Sequence, residues 1–162
     1  QAVGCEGLYA ESLRQGPRSV FDRPLAEVRV RDMMRDRVRT VPPDMRFGDV
    51  ARTFLRSSDR ELWIAGRDGR LAGVIRLVDV QPFLKDADLA QTVIAADIAS
   101  EDVPRLDPGM NLPTALNEFT RTKNEILPVV DPSTHHAIGS VGRADLLLAI
   151  SELARREGTR ED

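Results

Sequence analysis

The chain has 162 residues, 41% hydrophobic and 30% charged, enough for one compact domain or two small ones. Its formal net charge of -3 gives no overall basic field, which argues against a general affinity for nucleic acid. The single cysteine, Cys5, excludes an intrachain disulfide or a thiolate zinc site and favours a reducing compartment. No apolar run approaches the roughly 20 residues that cross a bilayer, and no signal peptide is evident, so we expect any membrane link to lie outside this sequence.

The first half of the chain predicts a strand, a helix, a β-hairpin and a closing helix. Pro42-Pro43 ends the first strand, and apolar residues then recur at helical spacing. Asp68-Gly69 between two apolar runs is a strong hairpin signal. Pro82 should shorten or kink the closing helix because it lacks a backbone donor. The predicted elements span residues 38–41, 47–55, 62–65, 71–75 and 77–84.

The second half predicts the same order of elements. Asn111 is suited to cap its first helix, with Pro113 in the first turn, whereas Arg46 at the corresponding earlier position is a poorer cap. The turn of the second hairpin is longer and is formed by Asp131-Pro132-Ser133-Thr134. The predicted helices and strands span residues 112–119, 127–130, 137–141 and 143–157, and the charged end of the chain is expected to fray.

An offset of about 65 residues aligns the two halves, which indicates an internal duplication. One unit of this size would bury a meagre core, so we expect two units to pack together about a pseudo-twofold axis. The predicted fold class is α/β (α+β), built from two β-α-β-β-α repeats. The matched pairs are Asp32 with Asp97, Val38 with Val103, Pro43 with Pro108, Met45 with Met110 and Phe54 with Phe119, followed, after one extra residue in the second hairpin, by Gly73 with Gly139 and Asp79 with Asp145.

This duplicated pattern resembles a tandem pair of CBS domains, also called a Bateman module. The resemblance implies a non-catalytic, dimerising regulatory module, divided into a linker (1–27), two CBS domains (28–88 and 89–152) and a charged tail (153–162). The residues that carry it are Asp32-Met33-Met34, Val38-Arg39-Thr40-Val41-Pro42, Glu125-Ile126-Leu127-Pro128-Val129-Val130-Asp131 and the segments 73–79 and 139–145, which begin with glycine and end with aspartate.

The segment 7–16 is similar to the stretch that follows the last membrane helix of ClC chloride channels and transporters. It contains a tyrosine, Tyr9, and the pair Leu13-Arg14 before a glycine. This second resemblance implies a domain on the cytoplasmic side of the membrane, attached to a transmembrane channel or transporter. Two alternatives stay open: a dimerisation scaffold without a ligand, and a CBS regulator of a magnesium transporter, a dehydrogenase or a kinase.

In CBS pairs that bind adenine nucleotides, an aspartate closing a Gly-x-apolar-Ser/Thr-x-x-Asp segment binds the ribose hydroxyls. The resemblance places Asp79 and Asp145 in this role, for AMP, ADP or ATP. The hydroxyl position holds Arg76 in one half, which could bind a phosphate, and Gly142 in the other. The alternative is that both aspartates only stabilise the first turns of the closing helices. Thr40 and Arg105, at the ends of the first strands, are further candidates for the ligand cleft.

Other candidate residues have simpler explanations. His135-His136 could bind a metal, but the pair lies in a turn without a carboxylate at helical spacing, so a solvated loop and no metal site are expected. Trp63 is either a core residue or an exposed stacking platform. The arginines at 29, 31, 35, 37 and 39 alternate with aspartates and indicate a mixed solvated face. No nucleophile elbow, phosphate-binding loop or paired metal motif is present, so we expect no enzyme activity.

Overall fold

The computed structural model describes residues 22–158, which form eight α-helices and five strands. In chain order these are α1 Asp22–Glu27, α2 Val30–Met33, β1 Thr40–Val41, α3 Phe47–Arg56, β2 Glu61–Ala65, β3 Leu71–Arg76, α4 Leu77–Val80, a 3₁₀ helix Gln81–Lys85, α5 Ala87–Thr92, α6 Ala95–Ile98, α7 Leu112–Thr122, β4 Ile126–Val130, β5 Ala137–Gly142 and α8 Arg143–Gly158. Both predicted hairpins and both predicted amphipathic helices are present.

The two halves have the same strand topology, which confirms the duplication. In the first repeat β1 runs parallel to β2, with Val41 opposite Ile64, and β2 pairs antiparallel with β3. In the second repeat β4 and β5 are antiparallel, and Leu106 forms one parallel bridge with Val129. Leu106 therefore occupies the position of Val41, although it is too short a segment to count as a strand.

Each repeat has its own core, built by the apolar face of its first helix. Phe47, Val50 and Phe54 of α3 are buried in the first core. Leu112, Ala115 and Phe119 of α7 are buried at the same spacing in the second. As predicted, Asn111 caps α7: its side-chain oxygen accepts a 3.0 Å hydrogen bond from Thr114 N. Arg46 makes no such bond at the start of α3.

The segment that leads into each repeat crosses over and pairs with the hairpin of the other repeat. Arg35 exchanges backbone hydrogen bonds of 2.8 and 2.9 Å with Ser140 of β5. Correspondingly, Ser100 exchanges bonds of 2.9 and 3.0 Å with Val74 of β3. The short helices α2 and α6 cross with these segments, so that Val30 is buried in the second core and Ala95 in the first. The repeats are therefore interlocked.

The glycine of each 73–79 and 139–145 segment is explained by this crossing. A Cβ on Gly139 would lie 2.6 Å from the carbonyl oxygen of Arg35, which is closer than real Cβ contacts allow. A Cβ on Gly73 would lie 3.1 Å from the Cβ of Ala99 and 3.2 Å from Ser100 O. At Gly139 only glycine lets the leading segment pass at this distance, whereas at Gly73 a Cβ would require its neighbours to shift by a few tenths of an ångström.

Four predicted boundaries can be compared with the structure. The predicted strand 38–41 is reduced to Thr40–Val41. The first closing helix ends at Val80 and continues as a 3₁₀ turn, because Pro82 removes the donor that a longer α-helix needs. The expected fraying tail begins inside α8, which extends to Gly158 and still packs Leu153 against the second core. The expected linker 1–27 likewise ends in a helix, α1, with Leu25 against that core.

Two further expectations concern single features. Trp63 is only 4% exposed, so it is a core residue and is not available as a stacking platform. Gly69 has φ 77°, as the turn of the first hairpin requires. Within residues 22–158 no helix is long and apolar enough to cross a membrane.

The crossing predicts that Val30 stabilises the second repeat rather than its own. Val30→Ala should lower the free energy of unfolding by about 2 kcal/mol, because Val30 is fully buried. Native-state hydrogen exchange should accelerate more in β4 and β5 than in β2 and β3.

Leu55→Ala is the control for this experiment. Leu55 is 84% exposed, so removing more atoms there should cost no more than about 0.5 kcal/mol. Equal effects of the two variants, or exchange that accelerates mainly in the first repeat, would contradict the exchanged packing of α2.

Candidate ligand clefts

A groove of about 220 Å³, which we call the first-repeat cleft, lies where the two repeats meet at the end of β3. It is built from three parts of the chain that only the crossing brings together. These are Val74 and Arg76 of β3, then Ser100, Asp102 and Pro104 of the segment leading into the second repeat, and Arg121, Thr122 and Asn124 at the end of α7.

Asp79 lies beside this cleft and is joined to it through Arg76. One oxygen, Oδ2, accepts hydrogen bonds from the backbone N of Arg76 at 3.0 Å and from its Nε at 3.2 Å. The other oxygen, Oδ1, has no hydrogen-bond partner among residues 22–158. The carboxylate therefore does stabilise the first turn of α4, and it keeps half of its acceptor capacity.

Asp145, the corresponding residue of the second repeat, is more fully engaged. Its Oδ2 accepts a 2.8 Å bond from the backbone N of Gly142. Its Oδ1 accepts two bonds from Arg35, from Nε at 3.1 Å and from Nη2 at 2.7 Å. A ribose at this position would have to displace Arg35. The backbone N–H of Gly142 already donates its hydrogen bond to Asp145.

Thr40 and Arg105 do not join either aspartate in one site. Both residues are exposed. Thr40 lines a second groove, formed by other residues. Arg105 lines neither groove. The six predicted ligand residues are therefore distributed over several places: Arg76 and Asp79 at the first-repeat cleft, Gly142 and Asp145 at the second closing helix, and Thr40 and Arg105 elsewhere.

Most residues of the cleft were missed by the sequence reasoning, among them the polar residues Ser100, Asp102, Arg121, Thr122 and Asn124. They belong to the second repeat, whereas the motif that signals the cleft belongs to the first. The two halves were compared position by position, which assigns each residue to its own repeat. The close approach of another segment at Gly73 is a signal that could have located them. It is useful only once it is known which segment crosses at that glycine.

Asn124 connects the cleft to a buried carboxylate. Its Nδ2 donates a 2.9 Å hydrogen bond to Oε1 of Glu61, while Oε2 of Glu61 is buried without a partner among the described residues. Burial raises the pKa of Glu61, against the smaller lowering effects of the Asn124 hydrogen bond and the charge of Arg76. The carboxylate is therefore poorly solvated when ionised.

The cleft also carries two arginines, each next to a carboxylate. Arg121 forms a 2.7 Å ion pair with Glu118, and this hydrogen bond raises the pKa of the guanidinium above its ordinary value. Arg76 is half-exposed and paired with Asp79 at 3.2 Å. Exposed pairs of this kind are weak, so either arginine can exchange its partner for a phosphate at little cost.

The remaining candidates lie away from this cleft. His135 and His136 lie in the β4–β5 turn, and residues 22–158 contain no group of three or more side chains that could hold a metal ion. Of the arginine cluster, Arg35 pairs with Asp145 and Arg39 with Asp59, at 2.7 and 3.0 Å. These pairs agree with the mixed solvated face that the sequence predicts.

The interlocked repeats define a tandem α+β module made of two copies of one unit. The CBS domain family matches residues 30–86 and 95–152, and the chain belongs to this family, as a tandem pair. No protein of curated function matches the chain.

Solved structures of CBS pairs share the fold. A Vibrio cholerae protein assigned to acetoin utilization (AcuB) is 21% identical, with a TM-score of 0.67 over 81% of this chain and 96% of the other. CBSX2 of Arabidopsis thaliana in complex with AMP is 21% identical, with a TM-score of 0.66 over 78% and 98%. The cytosolic domain of the Mg²⁺ channel MgtE in complex with ATP is 21% identical, with a TM-score of 0.63 over 78% and 50%.

Partial burial of Glu61 should make the free energy of unfolding depend on pH, and a neutral side chain at this position should remove that dependence. Below about pH 4.3, the ordinary pKa of glutamate, Glu61 is protonated in the folded and unfolded states alike. Because its folded pKa is raised, the wild type loses stability as the pH rises through that pKa. Glu61→Gln should therefore be more stable than the wild type at pH 7, and this advantage should shrink as the pH falls towards the ordinary pKa of glutamate.

Thermal unfolding of both proteins between pH 4 and 8 measures this effect. Glu101→Gln, which changes an exposed glutamate that does not act on Glu61, is the matched control and should be nearly neutral at every pH. A Glu61→Gln protein that is less stable than the wild type at pH 7 would show that the ionised form is required by the fold.

Proposed function

We propose that the chain is a non-catalytic regulatory module that binds one adenine nucleotide in the first-repeat cleft. The observation that carries this proposal is the free Oδ1 of Asp79 beside an open groove that presents Arg76. The AMP and ATP complexes of two CBS-pair structures with the same fold support the choice of ligand.

Each part of the cleft offers a group suited to one part of a nucleotide. Oδ1 of Asp79 accepts hydrogen bonds from ribose hydroxyls. Arg76 turns from Asp79 to the phosphate, where its planar fork makes two parallel bonds, and Arg121 adds a second positive charge. Val74 and Pro104 provide apolar surface for the base, and the Asn124 amide is placed to bind a polar edge.

Binding would connect parts of the two repeats. The cleft joins β3 of the first repeat to the segment that leads into the second, so a nucleotide there stabilises the crossed arrangement. A regulatory signal requires that the nucleotide bind one arrangement of the repeats better than another. The expected stoichiometry is one per chain, since Arg35 occupies Asp145 in the second repeat.

Calorimetric titration with AMP, ADP and ATP tests the proposal. Asp79→Asn keeps an acceptor oxygen for the Arg76 amide but loses the charge, so it should weaken binding about tenfold without unfolding the protein. Arg76→Gln should weaken ATP more than AMP, because it removes a phosphate contact. Asp145→Asn is the matched control and should leave the affinity unchanged.

Two results would overturn this proposal. One is the absence of heat with all three nucleotides at millimolar concentration. The other is a loss of affinity that is equal in Asp145→Asn and Asp79→Asn, which would assign the nucleotide to the second repeat or to neither.

We further propose that two copies of the module dimerise through their closing helices. In α8, Leu146 is buried in the core, yet Leu147 and Leu148 remain 63% and 58% exposed, so this helix is apolar on two sides. The corresponding helix of the first repeat, α4, exposes Leu77 and Val78. A second copy would cover both helices at once, because the repeats present them in related positions.

Sedimentation equilibrium measures this association. The double variant Leu147→Lys, Leu148→Lys should raise the dimer dissociation constant at least about a hundredfold, because it places charges in a desolvated interface. Leu55→Lys, on α3, is the control and should dimerise normally. Dissociation by Leu55→Lys alone would place the interface on the other helical face.

The attached partner is a separate proposal. The chloride-channel resemblance rests on segment 7–16, which lies outside the described residues. We propose a membrane transport protein as the parent on that segment alone, and the sequence encoded upstream of residue 1 tests it. Membrane spans there support a channel or transporter, whereas a soluble catalytic domain excludes it. If no nucleotide binds, a scaffold that only dimerises is the remaining function.

A further inference from the structure

A second groove, which we call the inter-repeat groove, lies along residues 36–42, the segment that leads into the first repeat. It has a volume of about 450 Å³, within the range of roughly 300–1,000 Å³ that small-molecule sites occupy. It shares no lining residue with the first-repeat cleft. Its lining residues are Asp36, Val38, Thr40, Val41, Pro42, Ala65, Gly66, Arg67, Gly69, Ala137 and Ile138.

The lining residues explain why this groove is separate from the ion pairs of the same segment. Arg35 and Arg39 pair with Asp145 and Asp59. Asp36, Val38 and Thr40 line the groove and take part in neither pair. A ligand there would not compete with these ion pairs.

The groove combines an apolar surface with two exposed charged side chains that pair with no other side chain among residues 22–158. Val38, Pro42 and Ile138 give it aliphatic walls, and Ile138, a large apolar residue, is left 37% exposed. The carboxylate of Asp36 and the guanidinium of Arg67 are both exposed, and within residues 22–158 neither side chain makes a hydrogen bond or ion pair. By contrast, Arg35, Arg39, Arg76 and Arg121 are all paired.

The corresponding position across the pseudo-twofold axis has different chemistry. Arg105 stands in place of Thr40, Asp107 in place of Pro42, and Ala72 in place of Ile138. The adjoining turn is one residue longer and is closed on itself, with Asp131 Oδ1 accepting bonds from Ser133 N at 2.8 Å and Thr134 N at 3.2 Å. The counterpart therefore keeps a carboxylate, Glu101 in place of Asp36, but Asp107 and Ala72 replace two of the aliphatic wall residues.

We propose that the inter-repeat groove binds a free α-amino acid with an apolar side chain. Asp36 binds the ammonium group, Arg67 binds the carboxylate with two parallel hydrogen bonds, and the aliphatic walls take the side chain. The Thr40 hydroxyl, which either donates or accepts, is available to either end of the zwitterion.

Calorimetric titration with L-leucine, L-methionine and L-phenylalanine tests this assignment. At least one should bind, and Asp36→Asn and Arg67→Gln should each weaken that binding about tenfold or more. Asp44→Asn and Arg60→Gln, which change exposed residues outside both grooves, are the matched controls and should bind normally. N-acetyl-L-leucine and L-leucine amide, which each lack one charge, should bind weakly.

The outcomes separate this site from the nucleotide cleft. Asp36→Asn should bind AMP, ADP and ATP as the wild type does, and Arg76→Gln should bind the amino acid as the wild type does. No heat with any of the three amino acids, binding that survives both charge changes, or N-acetyl-L-leucine binding as tightly as L-leucine would each overturn the proposal.

Discussion

The reciprocal crossing of the two leading segments is the constraint on which the rest of this structure depends. Each segment must pass over the hairpin of the other repeat at hydrogen-bonding distance, and a Cβ on Gly73 or Gly139 would crowd it there. The crossing also carries Val30 and Ala95 into cores that otherwise belong to the opposite repeat. A small unit that would bury too little by itself is thus completed by its duplicate.

The clefts are a product of the same crossing. The first-repeat cleft contains the end of β3, the segment that passes over it and the end of α7, which are distant in sequence. The inter-repeat groove uses the corresponding segment in the first repeat. Each of the two sites therefore needs chain segments that are distant in sequence.

Much of the fold was predictable because its determinants are local. The hairpin turn at Asp68-Gly69, the helical spacing of Phe47, Val50 and Phe54, and the cap at Asn111 each depend on a few neighbouring residues. The duplication supplied the topology, since each half had to repeat the other.

The site was predictable only in part, because its geometry depends on long-range pairing. The sequence located Arg76 and Asp79 correctly as neighbours, but nothing local indicates that Asn124 reaches Glu61 or that Arg35 reaches Asp145, 110 residues away. Thr40 lines the inter-repeat groove, apart from the residues of the first-repeat cleft.

The departures from exact repetition make the two strand-helix junctions that carry Asp79 and Asp145 chemically different. Arg76 of the first repeat corresponds to Gly142 of the second, and Arg35 corresponds to Ser100. Asp79 therefore binds Arg76, whereas Asp145 binds Arg35. In the second repeat that arginine comes from the crossing segment and ties it to α8 by two hydrogen bonds. In the first repeat the arginine comes from the same strand-helix junction as Asp79, and the Ser100 side chain makes no hydrogen bond within residues 22–158. Among residues 22–158, no ion pair like that of Arg35 and Asp145 holds the second crossing segment to α4. The nucleotide proposed for the first-repeat cleft would supply this missing connection.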